Sequence, residues 1–200
     1  MIIKDHLQTD SEILDDIDLA RWIAENLPIR FIGSEVLKQK CVPFSDEEFS
    51  GKEMAEISQA LVDTLKKYRA KTGMGRGLAA NQIGIPRRMI VVWLGEEPEV
   101  FVNPEIISTE GEGSYWESCI SAGTLLVGEV IRPWKGRFSY RNLNGGTHTI
   151  EADEKQTRLF LHEIDHLDGH NCLEAYKPGT AKFVRGGKEE IFSYTLTRRK

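Results

Sequence analysis

The sequence has 200 residues, a length that suits one domain, or one domain with short appendages. Its 31 acidic residues outnumber its 26 basic residues, and the resulting net charge of −5 argues against a nucleic-acid-binding protein of the usual basic kind. The sequence contains no run of 18 apolar residues and no secretory signal at its start, so we expect a cytoplasmic protein without a membrane segment.

The first 28 residues look like an extension of the main domain. Apolar side chains recur there at intervals of three and four, which predicts a short amphipathic helix that Pro28 ends. Such a helix could pack on the main body or on a second subunit, so a homodimer is one of the open alternatives. The residues that carry the pattern are Ile13, Ile17, Ala20, Ala24 and Leu27.

A second, longer helix is predicted from residue 50 to about residue 71. Ser50 and Glu53 have the spacing of a capping box, in which each side chain accepts a hydrogen bond from the other residue's backbone N–H. The apolar residues that follow are three or four positions apart, as on one face of a helix. They are Met54, Ile57, Leu61, Leu65 and Tyr68.

The segment 73–84 is rich in small residues. Gly75 and Gly77 permit a positive φ and a close approach of another backbone or of a substrate. The segment lacks the G-K-[ST] ending of a phosphate-binding loop. One interpretation is a tight loop between a helix and a strand. The other is an edge that binds a peptide, with the side chain of Gln82 directed at the site.

Several short segments have the composition of β-strands. The β-branched run 89–94 predicts a buried strand, and residues 100–103 predict another that Pro104 ends. Further strands are expected at 128–131, 137–140 and 147–151. The last two are joined through Asn144 and Gly145, a dipeptide typical of hairpins. The mixture predicts an α+β fold.

The strongest single motif is His162-Glu163-Ile164-Asp165-His166. The two histidines lie four residues apart, so they share one face of a helix and together can hold a divalent metal ion, with the glutamate placed to act on water. Gly169 fits the position after the helix end. The alternative is a buried helix with two hydrogen-bonded histidines. The motif alone supplies no third ligand.

Three motifs in a fixed order make the chain similar to the peptide deformylase family. They are Gly75-Arg-Gly-Leu-Ala-Ala-Asn-Gln82, Glu117-Ser-Cys-Ile-Ser121 and His162-Glu-Ile-Asp-His166. The resemblance implies mostly antiparallel sheets around a central metal-binding helix. It divides the chain into an extension (1–28), a catalytic domain (29–177) and a polar tail (178–200).

The resemblance also assigns chemistry to individual residues. It makes Cys119 the third metal ligand beside His162 and His166, with Fe²⁺ the expected ion, although thiolate and imidazole ligands suit Zn²⁺ at least as well. Glu163 is expected to act as the general base that takes a proton from metal-bound water, which gives the hydroxide nucleophile.

The resemblance also implies two donors that stabilise the negative charge on the carbonyl oxygen: the side chain of Gln82 and the backbone N–H of Ile120. The carbonyl of Gly77 would accept a hydrogen bond from the formamide N–H. Glu117 and Asp165 are candidates for holding the ligands or loops in orientation.

The expected substrate pocket is unusually basic. By resemblance, Arg76, Tyr115 and Leu159 contact the substrate, and Lys155 and Arg158 lie on the same helix face as Leu159. In the family this pocket is mostly apolar. The basic side chains either line a wetter pocket or direct their charged ends outward while their stems face the substrate.

We therefore expect a metal-dependent hydrolase that removes the N-formyl group from the N-terminal methionine of nascent or short peptides, close to the ribosome. One alternative is an amidase acting on another N-formyl or N-acyl compound. Another is a catalytically inactive, metal-stabilised binding protein. The presence of both Glu163 and Gln82 argues against inactivity.

Overall fold

The computed structural model describes residues 10–184 and 197–198, and within them the side chains of residues 18–49 and 51–184. The predicted mixture of helices and antiparallel strands is confirmed. The helices are α1 (Asp10–Asn26), α2 (Lys52–Thr72), α3 (Glu154–Leu167) and the one-turn α4 (Cys172–Ala175). No helix in this part of the chain has the length and apolar character needed to span a membrane.

The predicted N-terminal helix is present as α1 and packs on the main body. Ile23 is fully buried and Leu27 nearly so, and both belong to the hydrophobic cluster that contains the inner face of α2. The side chains of Ile13 and Ile17 lie outside the described residues. Most of the polar tail also lies outside them. The domain boundaries at 28/29 and 177/178 stay predictions.

The prediction of how α2 begins is wrong. Gly51 is the N-cap of α2, without a side-chain hydrogen bond, because Ser50 ends a preceding 3-10 turn. That turn has a capping box of its own, in which the backbone N–H of Ser45 donates to Glu48 Oε2 at 2.6 Å. A capping box therefore forms between Ser45 and Glu48, five residues before the predicted one.

Within the described residues, nine strands form two antiparallel sheets. The five-stranded sheet has the order β1-β2-β3-β6-β7, and the four-stranded sheet has the order β8-β5-β4-β9. The strands are β1 (Gly77–Ala79), β2 (Met89–Trp93), β3 (Pro98–Glu110), β4 (Gly113–Ser118), β5 (Leu126–Arg132), β6 (Lys135–Arg141), β7 (Thr147–Ala152), β8 (Lys182–Phe183) and β9 (Thr197–Arg198).

Strand β3 does not end at Pro104 as predicted but continues to Glu110. The ladder with β6 shifts register between Val102 and Glu105, and Asn103 between them has a positive φ of 49°. The Asn103 side chain pairs with Phe44, accepting from its N–H and donating to its carbonyl at 2.9 and 2.8 Å. A bulge fixed by these contacts lets the strand pass the proline, which has no N–H to contribute.

Helix α3 lies against the five-stranded sheet through a cluster of aromatic side chains. The Phe160 ring stacks on Phe138 at 4.9 Å and meets the edge of Phe101 at the same distance. Ile164 and Leu167 are buried in the same cluster. This packing leaves a different face of α3, the one carrying the two histidines, directed toward the four-stranded sheet.

The two sheets thus meet at α3. β1 is an edge strand of the first sheet, and β4 of the second sheet leads directly to Cys119. The fold therefore brings a free strand edge, the histidine face of α3 and the end of β4 to one place.

Candidate metal centre and substrate cleft

Helix α3 positions two of the three predicted metal ligands. Its N-terminus has a capping box, in which the Gln156 N–H donates to Asp153 Oδ1 at 2.8 Å and the Asp153 N–H donates to Gln156 Oε1 at 3.1 Å. One turn apart near its other end, the rings of His162 and His166 have centroids 5.0 Å apart. Gly169 follows the helix with a φ of 86°, as predicted.

The structure brings Cys119 to these two histidines. The ligand atoms of the three residues all lie within 4.8 Å of one another, and Cys119 Sγ is 3.2 Å from His166 Nε2. Bonds of about 2.3 Å to sulfur and about 2.0 Å to nitrogen would allow one ion to reach all three atoms. One thiol and two imidazoles therefore fit a divalent transition metal, and the alternative of two histidines with purely structural roles is not supported.

A buried ion-pair network fixes the orientation of His162. Glu117 Oε2 is 2.9 Å from His162 Nδ1. Both oxygens of Glu117 also accept hydrogen bonds from Arg132, at 2.7 and 3.0 Å, and a third nitrogen of this arginine donates to Asp165 Oδ2 at 2.8 Å. Holding Nδ1 in this way leaves Nε2 of His162 for a metal. Glu117 thus contacts the ligand His162 directly, and Asp165 contacts the arginine that holds Glu117.

The electrostatics of the two histidines differ. Burial lowers the pKa of His162, but its hydrogen bond to Glu117 and the charge of that carboxylate outweigh burial and raise the pKa to about 9. Burial, with the charges of His162 and Arg132, holds the pKa of His166 well below its usual value. Burial opposes ionisation of Glu117, yet Arg132 and His162 keep its pKa below the usual range. The low pKa favours neutral His166, which is ready to bind a metal ion, whereas His162 would have to release its proton when the ion binds.

Glu163 lies beside the ligands and has an unusual environment. Its side chain is buried, and Oε2 has no hydrogen-bond partner among the described residues. Burial raises its pKa to about 7. A carboxylate with a pKa near neutrality and a free oxygen is suited to accept and release a proton.

Gly77 is required by the position of Glu163. A Cβ atom added at Gly77 would lie 2.3 Å from Glu163 Oε1. Its φ is not positive, so the absence of a side chain matters here for close approach and not for backbone freedom. For the segment 73–84, the sequence allowed either a tight loop or a binding edge. In the structure this segment contains the edge strand β1, followed by a 3-10 turn that carries Gln82.

The side chain of Gln82 is buried and fixed at both ends. Its Oε1 accepts from the backbone N–H of Ala79 at 2.8 Å, which defines which end of the amide carries the N–H groups. Its Nε2 donates to Ser121 Oγ at 3.1 Å and faces Cys119 Sγ at 3.4 Å. The amide N–H groups therefore point into the metal site.

The site opens into a cleft of about 330 Å³. Of the predicted substrate residues, Arg76, Gly77 and Leu159 line this cleft, and Lys155 and Arg158 line it as well. The main apolar contribution comes from one face of α2 and the segments near it. These lining residues are Leu65, Tyr68, Met74, Leu78 and Ile120.

The prediction that Tyr115 contacts the substrate does not agree with the structure. Its side chain is fully buried and packs beside Trp134, with ring centroids 5.8 Å apart. Side chains along β4 alternate between buried and partly exposed, so Tyr115 faces the core while its neighbour Trp116 lines the cleft. The period of two in a strand could have identified Trp116 from the sequence.

The comparisons with known proteins agree with this geometry. The family model of polypeptide deformylase matches residues 26–182. This chain belongs to the peptide deformylase family. Peptide deformylase from Halothermothrix orenii is 38% identical over 167 residues, which cover 82% of this chain and 98% of that relative. The relative from Thermoanaerobacter pseudethanolicus is 38% identical over 141 residues, which cover 70% and 83%.

Solved structures of the family share the fold. The crystal structure of peptide deformylase from Thermotoga maritima is 30% identical with a TM-score of 0.67, covering 75% of this chain and 97% of that chain. The Synechococcus elongatus peptide deformylase in complex with actinonin is 30% identical with a TM-score of 0.68, covering 77% and 80%. The resemblance to the family, the α+β fold, a deformylase-type hydrolase and a divalent metal site were all predicted from three motifs and are confirmed.

Proposed function

We propose that this member of the peptide deformylase family hydrolyses the N-formyl group at the N-terminus of nascent or short peptides, with Fe²⁺ held by Cys119, His162 and His166. The observation that carries the proposal is the place of Glu163, which is buried, lines the same cleft as Cys119 and His162, and has one oxygen without a partner among the described residues. A bound divalent ion would supply Lewis-acid activation of water.

Residues of this chain would carry out proton transfer and stabilise the negative charge. Glu163 Oε2 accepts the proton of the attacking water and delivers it to the leaving amine. The Gln82 amide N–H that faces Cys119 Sγ donates to the oxygen that becomes negative as the carbonyl carbon becomes tetrahedral, while the other N–H stays bonded to Ser121 Oγ. The backbone N–H of Ile120, at the start of a 3-10 turn, has no acceptor within that turn and serves as the second donor.

The substrate would lie along β1. This strand pairs with β2 through one edge only, so its other edge is open to an extended peptide. The carbonyl of Gly77 would accept from the formamide N–H, which places the scissile bond between Glu163 and Gln82. Among the solved relatives is an Acinetobacter baumannii peptide deformylase bound to Met-Ala-Ser.

The test is an assay of the Fe²⁺-loaded protein, prepared without oxygen, on formyl-Met peptides. Glu163→Gln should keep the metal content and lose most of the rate, because the amide cannot accept the proton. Normal turnover by Glu163→Gln would show that the general-base assignment is wrong. Absence of turnover in the metal-loaded wild-type protein would favour the inactive binding protein. The cytoplasmic location, ribosome proximity and a homodimer stay predictions from the sequence.

A further inference from the structure

Three basic residues, Arg76, Lys155 and Arg158, line the cleft and form what we call the basic wall. Arg158 and Lys155 lie one and two turns before His162 on α3, and Arg76 immediately precedes Gly77. Arg76 and Arg158 are partly buried, whereas Lys155 lies at the exposed rim. Their positive charge thus lies within a few residues of the proposed base and of the strand edge.

The two arginines have no carboxylate partner in the described chain. No salt bridge within 4.0 Å joins Arg76, Lys155 or Arg158 to an acidic residue among residues 18–184. Arg132 behind the metal site is different, because Glu117 and Asp165 bind three of its nitrogens.

The contacts that Arg76 and Arg158 do make leave most of their donors free. Arg158 Nη1 donates to the backbone carbonyl of Trp116 at 3.2 Å, the one side-chain hydrogen bond formed by either guanidinium within the described residues. Burial and the nearby charge of Arg158 lower the pKa of Arg76 from its usual value. Two like charges held partly out of water, each with unused donors, favour the entry of an anion.

We propose that this basic wall selects N-formyl compounds that carry a carboxylate close to the formamide, and that Arg76 and Arg158 bind this carboxylate. The inference rests on the proposed deformylase function and names the substrate class of the same site. Two sources share the required chemistry. One is an acidic first side chain of a formyl-peptide, and the other is the free α-carboxylate of an N-formyl amino acid.

The experiment compares charged and neutral substrates of equal size. The Fe²⁺-loaded protein is assayed on formyl-Glu-Ala-Ser and formyl-Gln-Ala-Ser, and on formyl-Met and formyl-Met-amide. We expect kcat/KM at least about tenfold higher for the acidic member of one pair, as charge-assisted hydrogen bonds are stronger than neutral ones. A higher kcat/KM for the acidic member of the first pair shows that the site binds an acidic first side chain. A higher kcat/KM for the acidic member of the second pair shows that it binds the α-carboxylate. Equal rates within both pairs would overturn the proposal.

Variants assign the preference to the arginines. Arg158→Gln and Arg76→Gln should each reduce the acidic-to-neutral ratio, and Arg158→Lys should retain part of it. Lys52→Gln, which removes an exposed charge at the start of α2, should leave the ratio unchanged. The preference should also fall with added salt. If the glutamine variants slowed both members of a pair equally, the arginines would not be the carboxylate site.

A binding measurement separates failure of the inference from failure of the proposed function. The product pairs Glu-Ala-Ser and Gln-Ala-Ser, and methionine and methionine amide, are titrated into wild-type protein and Arg158→Gln by calorimetry. A protein that turns over no formyl substrate but binds the acidic member of one pair about tenfold more tightly supports the basic wall and contradicts the proposed function. A protein that deformylates formyl-Met peptides and binds the two members equally in both pairs supports the function and contradicts the wall.

Discussion

Glu117 Oε2 lies 2.9 Å from His162 Nδ1, and both oxygens of the same carboxylate are held by Arg132. One buried anion therefore has two tasks: it orients a metal ligand and it neutralises an arginine. The side chains of Glu117 and Arg132 are only 4% and 8% exposed, so neither charge can be satisfied by water if the other is removed.

Removal of Arg132 should therefore be costly. Arg132→Met leaves Glu117 charged and buried, and we expect a loss of about 3–5 kcal/mol in the free energy of unfolding. The control is Arg137→Met, which breaks a salt bridge to Glu151 whose partners are 50% and 76% exposed and should cost at most about 1 kcal/mol. Urea unfolding of the metal-free proteins measures both. Equal losses would contradict the assigned role of the network.

Loss of the thiol ligand should lower metal content and stability together. Cys119→Ala removes one of three ligands, and because metal binding energy is partly folding energy, the loaded protein should lose metal and melt at a lower temperature. Cys41→Ala is the matched control, since Cys41 is equally buried but lies outside the ligand cluster. Elemental analysis and thermal unfolding report the outcome. A Cys119→Ala protein with full metal content would refute the ligand assignment.

A methyl group at Gly77 should impair turnover without unfolding the protein. The added Cβ would lie 2.3 Å from Glu163 Oε1, so either the carboxylate or β1 must move. We expect kcat to fall at least about tenfold, since misplacement of a catalytic group by about 1 Å can cost about 100-fold. Gly95→Ala, where an added Cβ meets nothing within 4 Å, should have normal kcat. A normal kcat in Gly77→Ala would contradict the role of Glu163 as the general base.

Gln82 should act mainly in the transition state. Gln82→Ala removes the donor that points into the site, and we expect kcat and kcat/KM to fall by similar factors of about 10²–10³. Steady-state kinetics on a formyl-Met peptide measures both constants. Because the Gln82 side chain also accepts from Ala79, circular dichroism should accompany the assay. A change in KM alone would indicate ordinary substrate binding instead.

The spacing of four predicts that His162 and His166 share one helix face, and their rings lie 5.0 Å apart on α3. The hairpin through Asn144 and Gly145 was also predicted from a local signal, and β6 and β7 pair across that turn. The motif could not place Cys119 by spacing alone, because Cys119 lies 43 positions before His162 and only the packing of β4 beside α3 brings them together.

Features that depend on distant contacts were missed. Nothing near Arg132 in the sequence indicates that it pairs with Glu117 and Asp165, which come from a neighbouring strand and from α3. The path of β3 past Pro104 depends on the contact between Asn103 and Phe44, residues 59 positions apart. At Pro104 a long-range hydrogen bond outweighs the local propensity on which the prediction relied.

The separate origin of the metal ligands has a consequence for the order of events in folding. His162 and His166 are on the helix that packs on the five-stranded sheet, whereas Cys119 belongs to a different hydrophobic cluster with Tyr115 and Val130. The three ligand atoms can meet only after these two clusters have docked, and contacts between segments distant in the chain form slowly. Acquisition of tight metal binding during refolding would therefore mark a late step, after each cluster has formed by itself.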